Sequence, residues 1–366
     1  MRICVMSNAL AVHTRRWAVA FAERGHDIHV LSIRHDEIPG VKVHTVCVGP
    51  VNSKSVVWTF LSYLRLALTA RRRLKALAPD VLNAHYVVTH GVIAACSAFH
   101  PQVVSCWGRD VIWDNPGKMP WYLRILNRLA LRKADLVCST SRFMVGPVRE
   151  FAPPGARIEQ VPFGVDCDRF RPADASQHGR NDGEFRVGFV KTLLPKYGPE
   201  VLVRAMAQIL DAVPNARLIM AGRGPMRQEL RELARDLAIE KRVEFAGFVP
   251  HDEVPRLMQS LDVVVNCSVC PESFGVVILE ASACQVPVVV TCVGGVPEVC
   301  IDGQTGIMVS PNDSGALAAA ITRLAKDPAL REKMGSAGRE FVLRRYVWRD
   351  NVTRMLQHLE QLSGHR

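Results

Sequence analysis

Short apolar runs that read as buried strands alternate along this chain with longer segments whose apolar positions recur every three or four residues, as on one face of a helix. Ile3 to Ser7 predicts a first strand and Arg15 to Arg24 its helix, closed by Gly25 ahead of a strand at His29 to Ile33. Val56 to Leu77 predicts a long helix that stops before Pro79, and Val81 to Asn83, Val103 to Cys106 and Leu136 to Ser139 predict further strands. The periodicity lapses from Asp166 to Gly183, where Pro172, Ser176, Gln177, Gly179 and Asn181 cluster as in a linker. It resumes with strands at Arg186 to Val190, Arg217 to Ala221, Val243 to Ala246, Asp262 to Asn266 and Val286 to Thr291, separated by helices such as Glu200 to Leu210 and Leu230 to Ala238. Strands alternating with helices specify parallel sheets covered by helices. The expected organisation is therefore α/β, with a Rossmann-like unit over 1–168, a linker over 169–183 and a second Rossmann-like unit over 184–345. The helical tail at about 346–366 is expected to pack back onto the first unit, and the two units to face one another across a cleft.

The length of 366 residues agrees, being right for two cores of about 100 to 200 residues each. With 48% apolar and 22% charged residues, the composition is that of a packed globular protein. The longest apolar stretch, Val56 to Ala70, is broken by Arg65 and falls short of the roughly 18 residues that spanning a bilayer requires. The N-terminus lacks the apolar core of a signal peptide, so a cytoplasmic location is expected. Many of the eleven cysteines, among them Cys4, Cys47, Cys96, Cys106 and Cys138, sit in apolar runs as small hydrophobes, which suits a reducing compartment.

Charge changes the picture when it is divided. Residues 1–180 hold 24 Lys and Arg against 13 Asp and Glu, while the rest hold 22 against 22, so the whole net charge of +11 is N-terminal. A basic first unit suggests an anionic partner, either a membrane surface or a phosphate-bearing acceptor. Its arginines are not interleaved with stacking aromatics, which argues against nucleic acid. The amphipathic segments Val56 to Arg73 and Trp121 to Lys133 would serve a peripheral association with the inner face of a membrane.

The chemistry concentrates in Pro271-Glu272-Ser273-Phe274-Gly275-Val276-Val277-Ile278-Leu279-Glu280-Ala281, which follows a predicted strand and opens a predicted helix. The first amides of a helix have no intrahelical acceptor and attract phosphate. Two carboxylates, one before the helix and one about a turn inside it, can meet different hydroxyl-bearing parts of a single ligand. This stretch, then Val-Pro-Val-Val-Val-Thr at 286–291, Gly-Gly-Val-Pro-Glu-Val at 294–299 and Asp-Gly-Gln-Thr-Gly at 302–306, closely resembles the donor-site signature of family-4 glycosyltransferases, retaining enzymes of the GT-B fold. The resemblance extends upstream to Ala221-Gly222-Arg223-Gly224-Pro225. It continues through Val190-Lys191-Thr192-Leu193-Leu194-Pro195-Lys196-Tyr197-Gly198, with Lys191 where the family usually has Arg, and Val161-Pro162-Phe163-Gly164-Val165-Asp166.

The resemblance implies a hexosyltransferase that moves sugar from a nucleotide-diphosphate-sugar donor to an acceptor hydroxyl, as in bacterial glycolipid or polysaccharide synthesis, with no metal or other cofactor. Glu280 would bind the donor ribose, Glu272 the transferred sugar, and Lys191 and Lys196 the diphosphate. Backbone at Ser273, Phe274, Gly275, Val276, Gly222 and Gly224 would complete the donor site. Catalytic roles would fall to Glu272, Lys196, His85 and Asp110, and acceptor contacts to His13, His85, Arg109 and Asp110. The first half departs from the family pattern. The loop after the first strand, Ser7 to Trp17, is not glycine-rich, and Trp107-Gly108-Arg109-Asp110 carries Trp where many members have His. Cys267-Ser268-Val269-Cys270 lacks a second pair at zinc spacing, and Asp166-Cys167-Asp168 lies where the linker begins, so neither is expected to hold a metal. Two other readings stay open at this level: another GT-B enzyme such as a nucleotide-sugar epimerase or hydrolase, and a non-catalytic protein that binds an anionic surface.

Overall fold

The computed structural model describes residues 1–46, 56–113, 119–173 and 183–364, with 56–61 described by backbone alone. Most of the expected linker, at 174–182, lies outside the described residues, as does Cys47. The chain forms two compact units, one of Met1–Pro162 with Asn351–Arg366 and one of Phe163–Asp350.

The first unit is built on seven parallel strands: β1 (Arg2–Met6), β2 (Asp27–Ser32), β3 (Lys42–Thr45), β4 (Val81–His85), β5 (Gln102–Cys106), β6 (Leu136–Ser139) and β7 (Ile158–Gln160). They lie in the order β3-β2-β1-β4-β5-β6-β7, all paired in parallel. Every residue of β4, β5 and β6 is buried, which is why these strands read as unbroken runs rather than as alternating patterns. The strand order reverses between β1 and β4, and ligands in such sheets bind beyond the carboxyl ends of the strands at that point.

The second unit repeats this plan with β8 (Phe185–Val190), β9 (Ala216–Ala221), β10 (Val243–Gly247), β11 (Val263–Asn266), β12 (Val288–Thr291) and β13 (Gly306–Val309), in the order β10-β9-β8-β11-β12-β13. Its core is formed where Val187, Phe189, Leu218, Val263 and Val265 meet Leu202 and Met206 of the helix Pro199–Ala212 and Ile321 of the helix Ser314–Lys326. Here the order reverses between β8 and β11.

The boundary between units falls at Pro162 rather than at 168. The reason is a pair of backbone bonds: Val165 N–H donates to Tyr346 O at 2.8 Å, and Trp348 N–H donates to Val165 O at 2.9 Å. These bonds tie the stretch after Pro162 into the second unit. The last helix, Trp348–Ser363, enters the first unit from Asn351 onward, and Arg157 Nη2 there donates to Gln361 Oε1 at 3.1 Å. Among the described residues no helix is long and apolar enough to cross a membrane.

Candidate active site

In the second unit the apolar interiors of β8 and β11 place polar residues at their carboxyl ends, Lys191 just past β8 and Asn266 closing β11. Because the two strands pair, with Val263 opposite Val187, these residues are brought together across 75 positions of sequence. Lys191 Nζ donates to Glu272 Oε1 at 2.5 Å and to Asn266 Oδ1 at 2.9 Å. The same Oε1 also accepts a hydrogen bond from Ser268 Oγ. Ser268 is fixed in turn by Thr291, whose hydroxyl donates to Ser268 O at 2.6 Å. Burial pushes the Glu272 carboxyl up, but Lys191 first and then Ser268 and Asn266 outweigh it, so its pKa lies below the ordinary glutamate value. Glu272 is thus a carboxylate held ionised in a largely enclosed place.

Lys196 comes from the short 3-10 turn Pro195–Tyr197, and its ammonium lies 4.9 Å from the centre of the Tyr197 ring, with that of Lys191 at 4.5 Å. Cations are attracted to the ring face, so Tyr197 gathers both lysines on one platform. Gly275, at φ +103°, turns the chain into the helix Val276–Ala283. Of the first amides of that helix, that of Ile278 donates to Gly275 O at 3.1 Å, those of Val276 and Val277 come before the first i−4 bond, and Glu280 follows one turn inside. The Phe274 side chain is buried against Phe163 and Tyr346, at ring distances of 6.4 and 5.5 Å, and anchors the turn from behind.

The expected glycines Gly222 and Gly224 also allow a close approach of backbone. A Cβ on Gly222 would stand 1.9 Å from Lys191 O, and one on Gly224 would stand 2.2 Å from Leu193 O. Both exist so that the loops after β8 and β9 can close on one another.

In the first unit the carboxyl ends of β1, β4 and β5 bring His13, His85 and Trp107 into one aromatic cluster. The Trp107 ring centre lies 4.3 Å from that of His85, 5.3 Å from Tyr86 and 5.7 Å from His13. Tyr86 adopts φ +68°, a left-handed conformation that is costly for a bulky side chain and is found at functional sites. His85 and Asp110, expected to contact substrate, are 1% and 3% exposed. Asp110 serves the backbone: Oδ2 accepts from Val87 N–H at 3.1 Å and Trp107 N–H at 3.3 Å, and Oδ1 accepts from Gly108 N–H at 2.8 Å. Burial raises its pKa against these bonds and drives that of His85 well down, so the imidazole is neutral. Asp110 therefore knits the loops after β4 and β5, while Arg109 beside it is exposed and His13 half-buried.

Two family models match this chain, described as "Glycosyl transferase 4-like" over residues 2–141 and "Glycosyl transferases group 1" over residues 170–341. A GDP-mannose-dependent alpha-(1-6)-phosphatidylinositol monomannoside mannosyltransferase of Mycolicibacterium smegmatis is 32% identical over 296 residues, covering 76% of each chain. The chain belongs to the family-4 glycosyltransferases. An N-acetyl-alpha-D-glucosaminyl L-malate synthase of Bacillus anthracis is 29% identical over 90% of this chain and 84% of its own. In fold, this glycosyltransferase matches the sucrose-phosphate synthase of Thermosynechococcus elongatus with a TM-score of 0.85, at 23% identity over the whole of both chains. Its two parallel-sheet domains are those of the GT-B architecture.

Within the glycosyltransferase, the expected Lys191, Lys196 and Glu272 converge on one corner of the second unit. The partners that hold them, Asn266, Ser268 and Tyr197, carried no signal of their own beyond a polar residue at the end of an apolar strand. Cys267 is buried, with its thiol donating to Gly198 O at 3.1 Å, so half of the Cys-x-x-Cys spacing is loop packing. Asp166 Oδ1 accepts from the amides of Asp168 and Arg169, which makes the Asp-x-Asp a turn. Among the described residues no three His, Cys, Asp or Glu side chains cluster as a metal site would need.

Proposed function

We propose that this glycosyltransferase moves a hexosyl group from a nucleotide-diphosphate-sugar to an acceptor hydroxyl with retention of anomeric configuration and without a metal. The observation that carries the reading is the meeting of two ammonium groups and an ionised carboxylate beside an open helix start at the strand-order reversal of the second unit. In this reading Lys196 and the helix amides take the diphosphate, Glu272 the sugar hydroxyls and Glu280 the ribose. The leaving group gains negative charge as the bond to the anomeric carbon breaks, and fixed cations in a dry site stabilise that change. The acceptor oxygen bonds to the anomeric carbon on the face the phosphate vacates, and its proton passes to the departing phosphate oxygen, so positioning supplies most of the catalysis. The mannosyltransferase relative makes GDP-mannose the first donor to test. A donor that binds the folded protein at 100 times its Kd stabilises it by about 2.7 kcal/mol. A thermal-shift series over GDP-, UDP-, ADP- and dTDP-sugars should therefore single out one nucleotide. Transfer from that donor should survive a chelator and give the donor's own anomeric configuration by NMR; an inverted product would overturn the mechanism.

The acceptor is proposed to be lipid-linked or phosphate-bearing, taken at an anionic membrane surface. What supports this is the helix Trp121–Lys133, whose exposed stripe carries Trp121 at 70%, with Tyr122, Ile125 and Leu129, between Arg128, Arg132 and Lys133. Leu64 and Leu68 with Arg65, Arg71 and Arg72 repeat the pattern on the helix Val56–Leu77, and both helices pack on Val92–Ser97. Aromatic and aliphatic side chains ringed by arginine suit a helix lying in an anionic interface. The protein should float with vesicles containing phosphatidylglycerol at low salt and be released at high salt. The double variant W121S/I125S should lose flotation, and flotation unchanged by salt and by the variant would remove the idea.

A further inference from the structure

We infer that His29 and His44 form a proton-sensitive latch that fastens the edge strand β3 beneath the basic helix Val56–Leu77, closed while the two rings share one proton between them and opened by a second. The latch lies in the first unit and does not rest on the glycosyl-transfer reading of the second.

Register builds it. β2 and β3 pair in parallel with His29 opposite Lys42 and Leu31 opposite His44, so Asp27, His29, Leu31, Lys42 and His44 fall on one face of the sheet. Leu31 packs there with Val46, Leu66, Ala70 and Leu74, which makes it the face that the helix Val56–Leu77 covers. His29 is 5% exposed and His44 half-buried. Polar rings in such a place need partners, and these take each other: His29 Nδ1 lies 2.9 Å from His44 Nε2. The ring planes are within 3° of parallel and the centres 5.1 Å apart. Parallel planes joined by a 2.9 Å contact can be no further apart than that contact, which is closer than the roughly 3.5 Å at which carbon atoms pack. The rings therefore meet edge to edge through an N–H···N hydrogen bond, not face to face.

Such a bond needs a proton on one of the facing nitrogens and a lone pair on the other. The pair can take one positive charge and keep the bond, but a second proton sets N–H against N–H. The first charge has a counter-ion, since Asp27 Oδ1 is 3.2 Å from His29 Nε2. Lys42 and then Arg2, donating at 2.8 and 2.7 Å, hold the Asp27 carboxyl well below the ordinary range, so it is ionised wherever histidine titrates. The charges set against the second proton are Lys42 of β3 and Arg73 of the covering helix, with Arg2 of β1 also at Asp27. Burial first, then the charges of His29, Arg73 and Lys42, keep the His44 pKa below the ordinary histidine value. β3 is where a break would be felt. It is an edge strand of four residues, and Val46 just after it enters the core, with its N–H donating to Ser32 O at 2.7 Å.

The test uses the whole protein. Long-range 15N–1H spectra of the twelve histidine rings, followed from about pH 8 to about pH 4.5, should show two that titrate as a coupled pair in steps at least about one pH unit apart. Twelve independent one-step curves would overturn the latch. Because the folded pair resists a proton that the unfolded chain accepts, its contribution to stability is full above the unfolded value of about 6.5 and is lost as pH falls through the lower folded one. H44Q, whose amide can keep a bond to His29 without titrating, should take up about one proton fewer than wild type on unfolding below that pH, as read from urea melts over a pH series. Equal uptake by the two proteins would count against the proposal. Hydrogen exchange, corrected for its intrinsic pH dependence, should show the amides of 42–46 losing about tenfold of their protection between about pH 7 and pH 5 in wild type and less than about threefold in H44Q. The same loss in β4, β5 and β6 would mean that acid acts on the whole unit and not on a latch at its edge. Should H44Q fail to fold, the ring spectra of wild type decide.

Discussion

Replacing Glu272 with glutamine lowers glycosyl transfer by about 100- to 1,000-fold, the scale of removing one preorganised polar group from an active site, while the melting temperature stays near that of wild type. Alanine at the same position loses both. The difference follows from the network around Oε1: a glutamine carbonyl still accepts from Lys191 and Ser268, whereas alanine leaves the ammonium enclosed with no anion. Breaking a buried pair from one side costs about 3–5 kcal/mol, and the lower end applies because the two side chains keep 16% and 12% exposure. The pH dependence has a definite sign. The pKa of Glu272 is lowered in the folded state, so its contribution is present above the unfolded value of about 4.3 and is lost as pH falls through the lower folded value. The stability gap between wild type and E272A should therefore narrow in acid, as read from thermal melts over a pH series. Near-normal turnover by E272Q would mean that the charge of this carboxylate is not used.

Why Glu272 was legible in the sequence and its surroundings were not comes down to where the contacts are encoded. The acidic pair and the helix start lie in one contiguous segment, so spacing alone set them side by side. Asn266, Ser268 and Tyr197 reach the site through the pairing of β8 with β11, and the order of strands in a sheet is not written in any local window. The same reasoning explains the strands that the periodicity did not predict. Lys42–Thr45 and Ile158–Gln160 are edge strands of three or four residues, half-exposed and mixed in composition, and Gly306–Val309 closes the other sheet as an edge. An edge strand is covered on fewer sides, so it needs no apolar run. In the first unit, polar residues at strand ends read in the sequence as ligand contacts. Asp110 and His85 show the ambiguity in that inference: a buried carboxylate can be required by three amides of its own backbone as readily as by a substrate.

Gly222→Ala should remove donor binding and transfer together, a large effect from one methyl group. The added Cβ would lie 1.9 Å from Lys191 O and 2.7 Å from Lys191 C, both backbone atoms, so no change of rotamer can relieve the contact. Nor can the loops part freely, since Lys191 N–H donates to Ala221 O at 2.9 Å, Leu193 N–H to Arg223 O at 3.0 Å and Gly222 N–H to Gly247 O at 2.6 Å. Forcing an atom into such a contact costs about 1–3 kcal/mol or more, and it must be met by moving the segment that carries Lys191. A shift of about 1 Å there is enough to lower the rate by about 100-fold. Gly303→Ala is the control, because its φ of +72° is equally unsuited to alanine but nothing lies within 4 Å of the new Cβ. It should lose about 1–2 kcal/mol of stability from the left-handed backbone and keep its kcat. Thermal melts and initial rates on both variants separate strain from displacement. If Gly222→Ala matched Gly303→Ala in both measurements, the close approach of the two loops could not be what holds Lys191 and, through it, Glu272 in place.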